Sequence, residues 1–361
     1  YTRAPVHRSQ EEPDMSRTAW LVALLVLANT PDGHALSPQR ETGQYVLRSW
    51  RTAAGGLPSN VVQAVVQTRD GYLWLGTESG LVRFDGVRFT TYDTENTPAL
   101  RHNTIQCLAA GRDGALWIGT WGGGLSRYKG GTFETWGEED GLPSLFVRVV
   151  LEDADGALWV GTFGAGIARL TEGRFQAFGA SEGLTDGFVR TIFQDRAGTL
   201  WVGTRGGGLN RLVGERFHAY TTGDGLSSDY VTAVLEDRDG DLWIGTAGGG
   251  LVRLRGGRFQ SYGLEAGLTN DQVSALLEDR DGNLWVGTRG GGLHRRRGDR
   301  LVPFTTRDGL PNDTIRSLLE DREGNLWVGT YGGGLSRFAD GAVVTFTAAE
   351  GLPDDLVWPI L

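Results

Sequence analysis

The residues best suited to recognition chemistry sit where seven otherwise similar turns disagree. Each turn reads Gly-Thr-x before a glycine-rich step, and x is successively Glu78, Trp121, Phe163, Arg205, Ala247, Arg289 and Tyr331. A second varying series is Gln63, Gln106, Arg148, Arg190, Thr232, Ser274 and Arg316. Each of its members follows a β-branched residue: Val62, Ile105, Val147, Val189, Val231, Val273 or Ile315. Guanidinium forks suit carboxylate or sulfate, and aromatic faces suit sugar rings. Arg148, Arg190, Arg205, Arg289 and Arg316 beside Trp121, Phe163 and Tyr331 therefore predict a basic, aromatic mouth for a small molecule, with an acidic oligosaccharide as the favoured class. Two plainer readings compete with this one. The turn position could be exposed and unconstrained, and the second series could line a water-filled channel.

Bond-breaking chemistry has less behind it. Downstream of residue 36 the histidines are His102, His218 and His294, none of them in a motif with serine or a carboxylate, so all three read as surface residues and no catalytic residue is assigned. Acidic turns such as Asp237-Arg238-Asp239-Gly240-Asp241 lack the downstream bidentate glutamate of a calcium loop and run at once into an apolar segment. Their Asp side chains read as acceptors for turn amides. Glycine runs such as Gly122 to Gly124 open no helix, so they are turns and not phosphate cradles. Neither metal nor cofactor is expected. Cys107, the single cysteine, lies in an apolar run and reads as a small core residue.

These positions are carried by a repeat. Leu-Trp-x-Gly-Thr recurs at Trp74, Trp117, Trp159, Trp201, Trp243, Trp285 and Trp327, spaced 43 residues once and 42 thereafter. The copy around Gly267 to Tyr331 shows the unit: apolar runs Val273 to Leu277, Leu284 to Thr288, Leu293 to Arg296 and Leu301 to Thr305, separated by Asp-Gly and Gly-Gly turns. Such turns tolerate the positive φ of tight hairpins, so the unit predicts four antiparallel strands. One such sheet cannot bury both its faces, whereas seven around an axis cover each other. The expected fold is all-β, a seven-bladed β-propeller of four-stranded antiparallel blades over residues 44–350, with the repeated tryptophans packed between blades. Gln44 to Trp50 matches a fourth strand and 351–361 the start of an eighth repeat. The leading strand is therefore expected either to clasp the last blade or to pair with a further one.

The first 36 residues read differently. Arg17, the apolar stretch Ala19 to Ala28 and Gly33-His34-Ala35 predict a signal peptide over 15–35 cleaved near Ala35, with 1–14 an upstream extension and a periplasmic or secreted destination. The apolar stretch is about half the roughly 20 residues a spanning helix needs. A formal charge of −9 argues against nucleic acid or acidic membranes as partners.

The Gly-Leu-Pro loop, the Glu-Asp-Arg-Asp-Gly-Asn-Leu-Trp-Val-Gly-Thr core and the Gly-Gly-Gly-Leu turn resemble the two-component regulator propeller repeat over about residues 44 to 361. The resemblance implies the exported input part of a bacterial transmembrane receptor whose output is a histidine kinase, hybrid kinase or diguanylate cyclase. Contact with a membrane would then come only through a part C-terminal to this chain. Two other classes remain open: a propeller enzyme similar to the streptogramin lyases, and a scaffold whose turn residues contact a partner or a second copy.

Overall fold

The computed structural model describes Leu36, residues 45–52 and residues 56–340. The expected signal peptide, the upstream extension and the start of an eighth repeat lie outside the described residues. Numbered in chain order, the strands begin with β1 (Val46–Trp50); blade one follows as β2 (Val62–Gln67), β3 (Leu73–Thr77), β4 (Gly80–Phe84) and β5 (Phe89–Tyr92). The sixth blade is β22 (Val273–Glu278), β23 (Leu284–Thr288), β24 (Leu293–Arg297) and β25 (Arg300–Phe304), within one residue of the runs read from the sequence. The last comprises β26 (Ile315–Glu320), β27 (Leu326–Thr330) and β28 (Leu335–Ala339). Seven four-stranded antiparallel sheets result, as the repeat predicts.

There is no single core. Seven apolar clusters each fill one seam between neighbouring blades, and six of them bury a second-strand tryptophan: Trp74 packs on Ile105, Leu116 and Ile118, and Trp243 on Val273, Leu284 and Val286. Burying a tryptophan removes about 150–250 Å² from water, so these seams supply much of the driving force. The Asp-Gly turn six residues upstream completes the seating. Asp237 takes the Trp243 indole N–H on one oxygen, at 2.7 Å, and the amides of Asp239 and Asp241 on the other. Blade two has Gly111 at the aspartate position, and Trp117 is only half-buried. A third-strand arginine then covers each indole, for example Arg169 over Trp159 at 5.5 Å and Arg253 over Trp243 at 5.5 Å.

The glycine of Leu-Trp-x-Gly-Thr makes the seam narrow. A Cβ on Gly161 would lie 2.6 Å from Val189 of the next blade, which is why the residue opening each innermost strand can sit directly over its neighbour. The threonine is buried and braces the turn that follows: Thr120 Oγ1 donates to the Gly124 carbonyl at 2.9 Å and accepts from the Gly123 amide at 3.0 Å. Gly124 itself adopts φ 81°, and a Cβ there would meet the Trp136 carbonyl at 2.3 Å.

The ring closes through the N-terminal clasp. β1 pairs antiparallel with β28, Val46 opposite Ala339 and Trp50 opposite Leu335, and so becomes the outer strand of blade seven. The closing seam then repeats the bonds of the other seams. Gly332 and Gly334 donate to the Asn60 carbonyl at 3.0 and 2.9 Å, and the Arg322 amide donates to Gln67 Oε1 at 2.9 Å. Elsewhere the same latch joins Arg196 to Glu236, Arg238 to Glu278 and Arg280 to Glu320.

Candidate functional site

Each innermost strand carries an irregularity at the same place. The ladder skips one residue, between Val62 and Ala64 in blade one, Val147 and Val149 in blade three, and Ile315 and Ser317 in blade seven. The skipped residues are the second varying series: Gln63, Gln106, Arg148, Arg190, Thr232, Ser274 and Arg316. A bulge frees its extra residue from the pairing alternation and re-aims its side chain. The β-branched residue before it stays fully buried in the seam, as Val147 and Val189 do.

The turn series is anchored differently. The N–H of Phe163 donates to the Phe146 carbonyl at 2.9 Å, and that of Arg289 to the Gln272 carbonyl at 2.9 Å. The following glycines bond across the seam, Gly290 and Gly292 both donating to the Asp313 carbonyl. The backbone at this position is therefore fixed, and only the side chain is free to vary.

The two series converge on a cavity of about 680 Å³ at the channel mouth, lined by Gln63, Glu78, Ser79, Thr104, Gln106, Trp121, Arg148, Arg190, Arg289 and Arg316. Six of the ten candidate residues lie in this lining. Of the other four, Phe163 packs edge-on against Trp121 at 5.0 Å, and Tyr331 lies under the Arg316 guanidinium at 4.8 Å. Arg205 is exposed and turns over Phe188 at 5.8 Å, while Ala247 forms a backbone bridge with Gln272 and has no side chain to reach inward.

The lining is uneven around the ring. Thr232 and Ser274 turn sideways and donate to the Val273 and Ile315 carbonyls at 2.7 Å each. Blades five and six thus contribute short residues from their bulges, and Arg289, from the turn of blade six, joins the cavity on that side. Arg148 donates to Gln106 Oε1 at 2.9 Å. The Nε atoms of Arg148, Arg190, Arg289 and Arg316 are shielded from solvent and make no hydrogen bond. Burial, and after it the charge of Arg148, lowers Arg190 to about 9. Burial chiefly, with Arg289 adding to it, also depresses Arg148 and Arg316. Glu78 supplies the one carboxylate in the lining.

An aromatic arc borders this basic neck over blades two to four. Trp121 meets Phe146 at 5.1 Å and Phe163 at 5.0 Å, and Phe163 meets Phe188 at 4.8 Å. Farther round, Arg190 lies over Tyr230 at 5.5 Å. Phe146, Phe188 and Tyr230 occupy the position just before each innermost strand, a third varying column that sequence reasoning passed over. Its signal was available: Val61, Thr104, Phe146, Phe188, Tyr230, Gln272 and Thr314 differ while the residue after each is β-branched.

The histidines fall in three environments. His218 is exposed on an outer strand, and His102 is half-buried on its loop, with Nδ1 accepting from the Thr104 amide at 3.0 Å. His294 corrects the expectation of a surface residue, because it is fully buried. Its Nε2 accepts from the Thr269 amide at 3.1 Å, and burial lowers its pKa to about 4. Asn210 plays the equivalent part for Thr185 in blade four. Cys107 is buried as expected, its thiol pushed up to about 12 by burial.

Comparison with known proteins places this geometry. The two-component regulator propeller repeat matches residues 56–79, 99–122, 141–164, 183–206, 225–248, 267–290 and 309–332. Among solved structures, the extracellular domain described for a hybrid two-component system, BT3049 of B. thetaiotaomicron, superposes with a TM-score of 0.71 at 24% identity. That match covers 82% of this chain and 42% of that domain. The extracellular domain of BT4673 from the same organism, described as a one-component system, gives 0.67 at 25%, covering 81% and 39%. The chain thus spans about two-fifths of either domain. Virginiamycin B lyase of Staphylococcus aureus shares the fold, with a TM-score of 0.65 at 14% identity over 81% of this chain and 99% of the lyase. No curated protein matches the chain. Seven matched repeats, one for each blade of a closed ring, make this chain a member of the two-component regulator propeller family.

Proposed function

We propose that this ring is the ligand-binding input part of an exported bacterial signalling receptor, and that its ligand is an acidic oligosaccharide gripped at the channel mouth. Similarity to the extracellular domains of B. thetaiotaomicron two-component and one-component systems supports the sensing role and the exported location. The observation that carries the ligand class is the pairing of a neck holding four arginines with an aromatic arc through Trp121 and Phe163. Guanidiniums take the acidic groups, and the arc offers ring faces against which sugar C–H edges pack.

Titration calorimetry on the full chain tests this, with uronate-containing or sulfated oligosaccharides set against neutral ones of equal length. Acidic ligands should bind, the neutral set at least tenfold more weakly. Changing Arg148 and Arg289 together to Met should abolish that preference, and Trp121→Ala should weaken both sets. Absence of binding by any saccharide, or equal binding by the arginine double variant, overturns the saccharide assignment.

A further inference from the structure

We infer that the neck is a site for a compact anion carrying two or more negative charges, held among Arg148, Arg190, Arg289 and Arg316, so that charge density governs what the ring accepts. This rests on the cavity being the ligand site and deepens that reading, but it does not require the ligand to be a saccharide.

Four guanidiniums face one carboxylate, that of Glu78, in a cavity of about 680 Å³. The whole chain carries a formal charge of −9, so this concentration of positive charge runs against the character of the molecule. Several arginines elsewhere are paired with carboxylates, Arg238 with Glu278 at 2.9 Å and Arg101 with Glu139 at 2.6 Å. In the neck, Arg148 donates to the neutral Gln106 amide, and the Nε atoms of all four, like those of Arg295 and Arg337 in the seams, are buried without a hydrogen bond.

Clustered like charges with a single carboxylate among them are unfavourable until something of opposite sign enters. A single carboxylate or sulfate ester leaves most of the excess in place. A phosphate monoester, a di- or tricarboxylate, or closely spaced acidic groups on one sugar residue would balance more of it. Arginine's planar fork also presents paired donors to such oxygens.

The test uses inorganic phosphate, citrate and acetate on the full chain at matched ionic strength and low millimolar concentration, where general salting effects on stability are small. Calorimetry should rank citrate and phosphate at least tenfold above acetate. At a hundredfold excess over Kd, either should raise Tm by about 5 °C. The double change Arg148→Met with Arg289→Met should remove both responses; should that protein misfold, Arg190→Gln read by calorimetry alone should still weaken phosphate and citrate several-fold. Equal responses to acetate and citrate, or responses that survive these variants, overturn the inference. So does an acidic oligosaccharide that binds while phosphate and citrate do not, and in that case the saccharide reading stands. Phosphate or citrate binding without any saccharide binding supports the inference and removes the saccharide.

Discussion

The seams between blades and the neck on the axis are built from the same residue types with opposite outcomes. In the seams, an arginine covers the indole of every blade, and one of them, Arg253 over Trp243, also bonds Asp241 at 2.9 Å, a contact that raises its pKa. In the neck, arginine appears in some blades and not others, and there burial depresses Arg148, Arg190 and Arg316, with Glu78 the one carboxylate in the lining. The arginine that recurs in all blades has its indole within the repeat. One that breaks the repeat points toward a partner supplied from outside.

The largest effect belongs to the seams: Trp243→Ala should cost about 3–5 kcal/mol by denaturant unfolding, because it leaves a cavity and strips Asp237 of its indole donor. A loss under 1 kcal/mol would mean the seams do not hold the ring. Next comes His294, buried and neutral. Unfolded histidine takes a proton below about pH 6.5, whereas the folded one resists until about 4, so stability should fall across that window as pH drops. The full loss is roughly 3 kcal/mol, and His294→Asn, copying the Asn210 contact, should flatten the profile.

The neck should respond in the reverse sense. Arg148→Met, in the absence of anion, should leave stability unchanged or raise it by up to ~1 kcal/mol, since it removes one of several clustered charges. Arg190, which burial and the neighbouring Arg148 disfavour in its charged form, should behave likewise when changed to Gln. The groups acting on Arg190 are Arg148, Tyr230, Arg289 and Arg316. Arg253→Met should instead cost about 1–3 kcal/mol, since it removes a cation–π contact and leaves the buried Asp241 carboxylate with the Arg255 guanidinium at 3.6 Å.

Most of the fold could be read directly from the repeat, because seven copies of Leu-Trp-x-Gly-Thr constrain strand, turn and seam at once. The position of β1 was open, since Gln44 to Trp50 fits a fourth strand of any blade and only the ring geometry brings it to β28. At the site, the varying residues were visible but the bulge that aims them was not. A skipped pairing leaves no composition mark, and Arg148 follows Val147 just as an ordinary alternating residue would. Phe146 and Phe188 were missed because loop aromatics read as exposed until the Trp121 and Phe163 rings are seen against them. His294 looked like a surface residue because a glycine turn precedes it. Its partner, Thr269, lies 25 residues back, a spacing that Thr185 and Asn210 repeat.

The clasp sets an order of events. β1 is the first of the described strands to leave the ribosome and its partner β28 the last, so one pairing spans all of them and must wait for the final one. Until then both edges stand open, and no disulfide can hold them, since Cys107 is the sole cysteine. When many copies fold in a confined volume, the first strand of one molecule can complete the seventh blade of another through identical contacts, giving exchanged dimers and chains in place of closed rings.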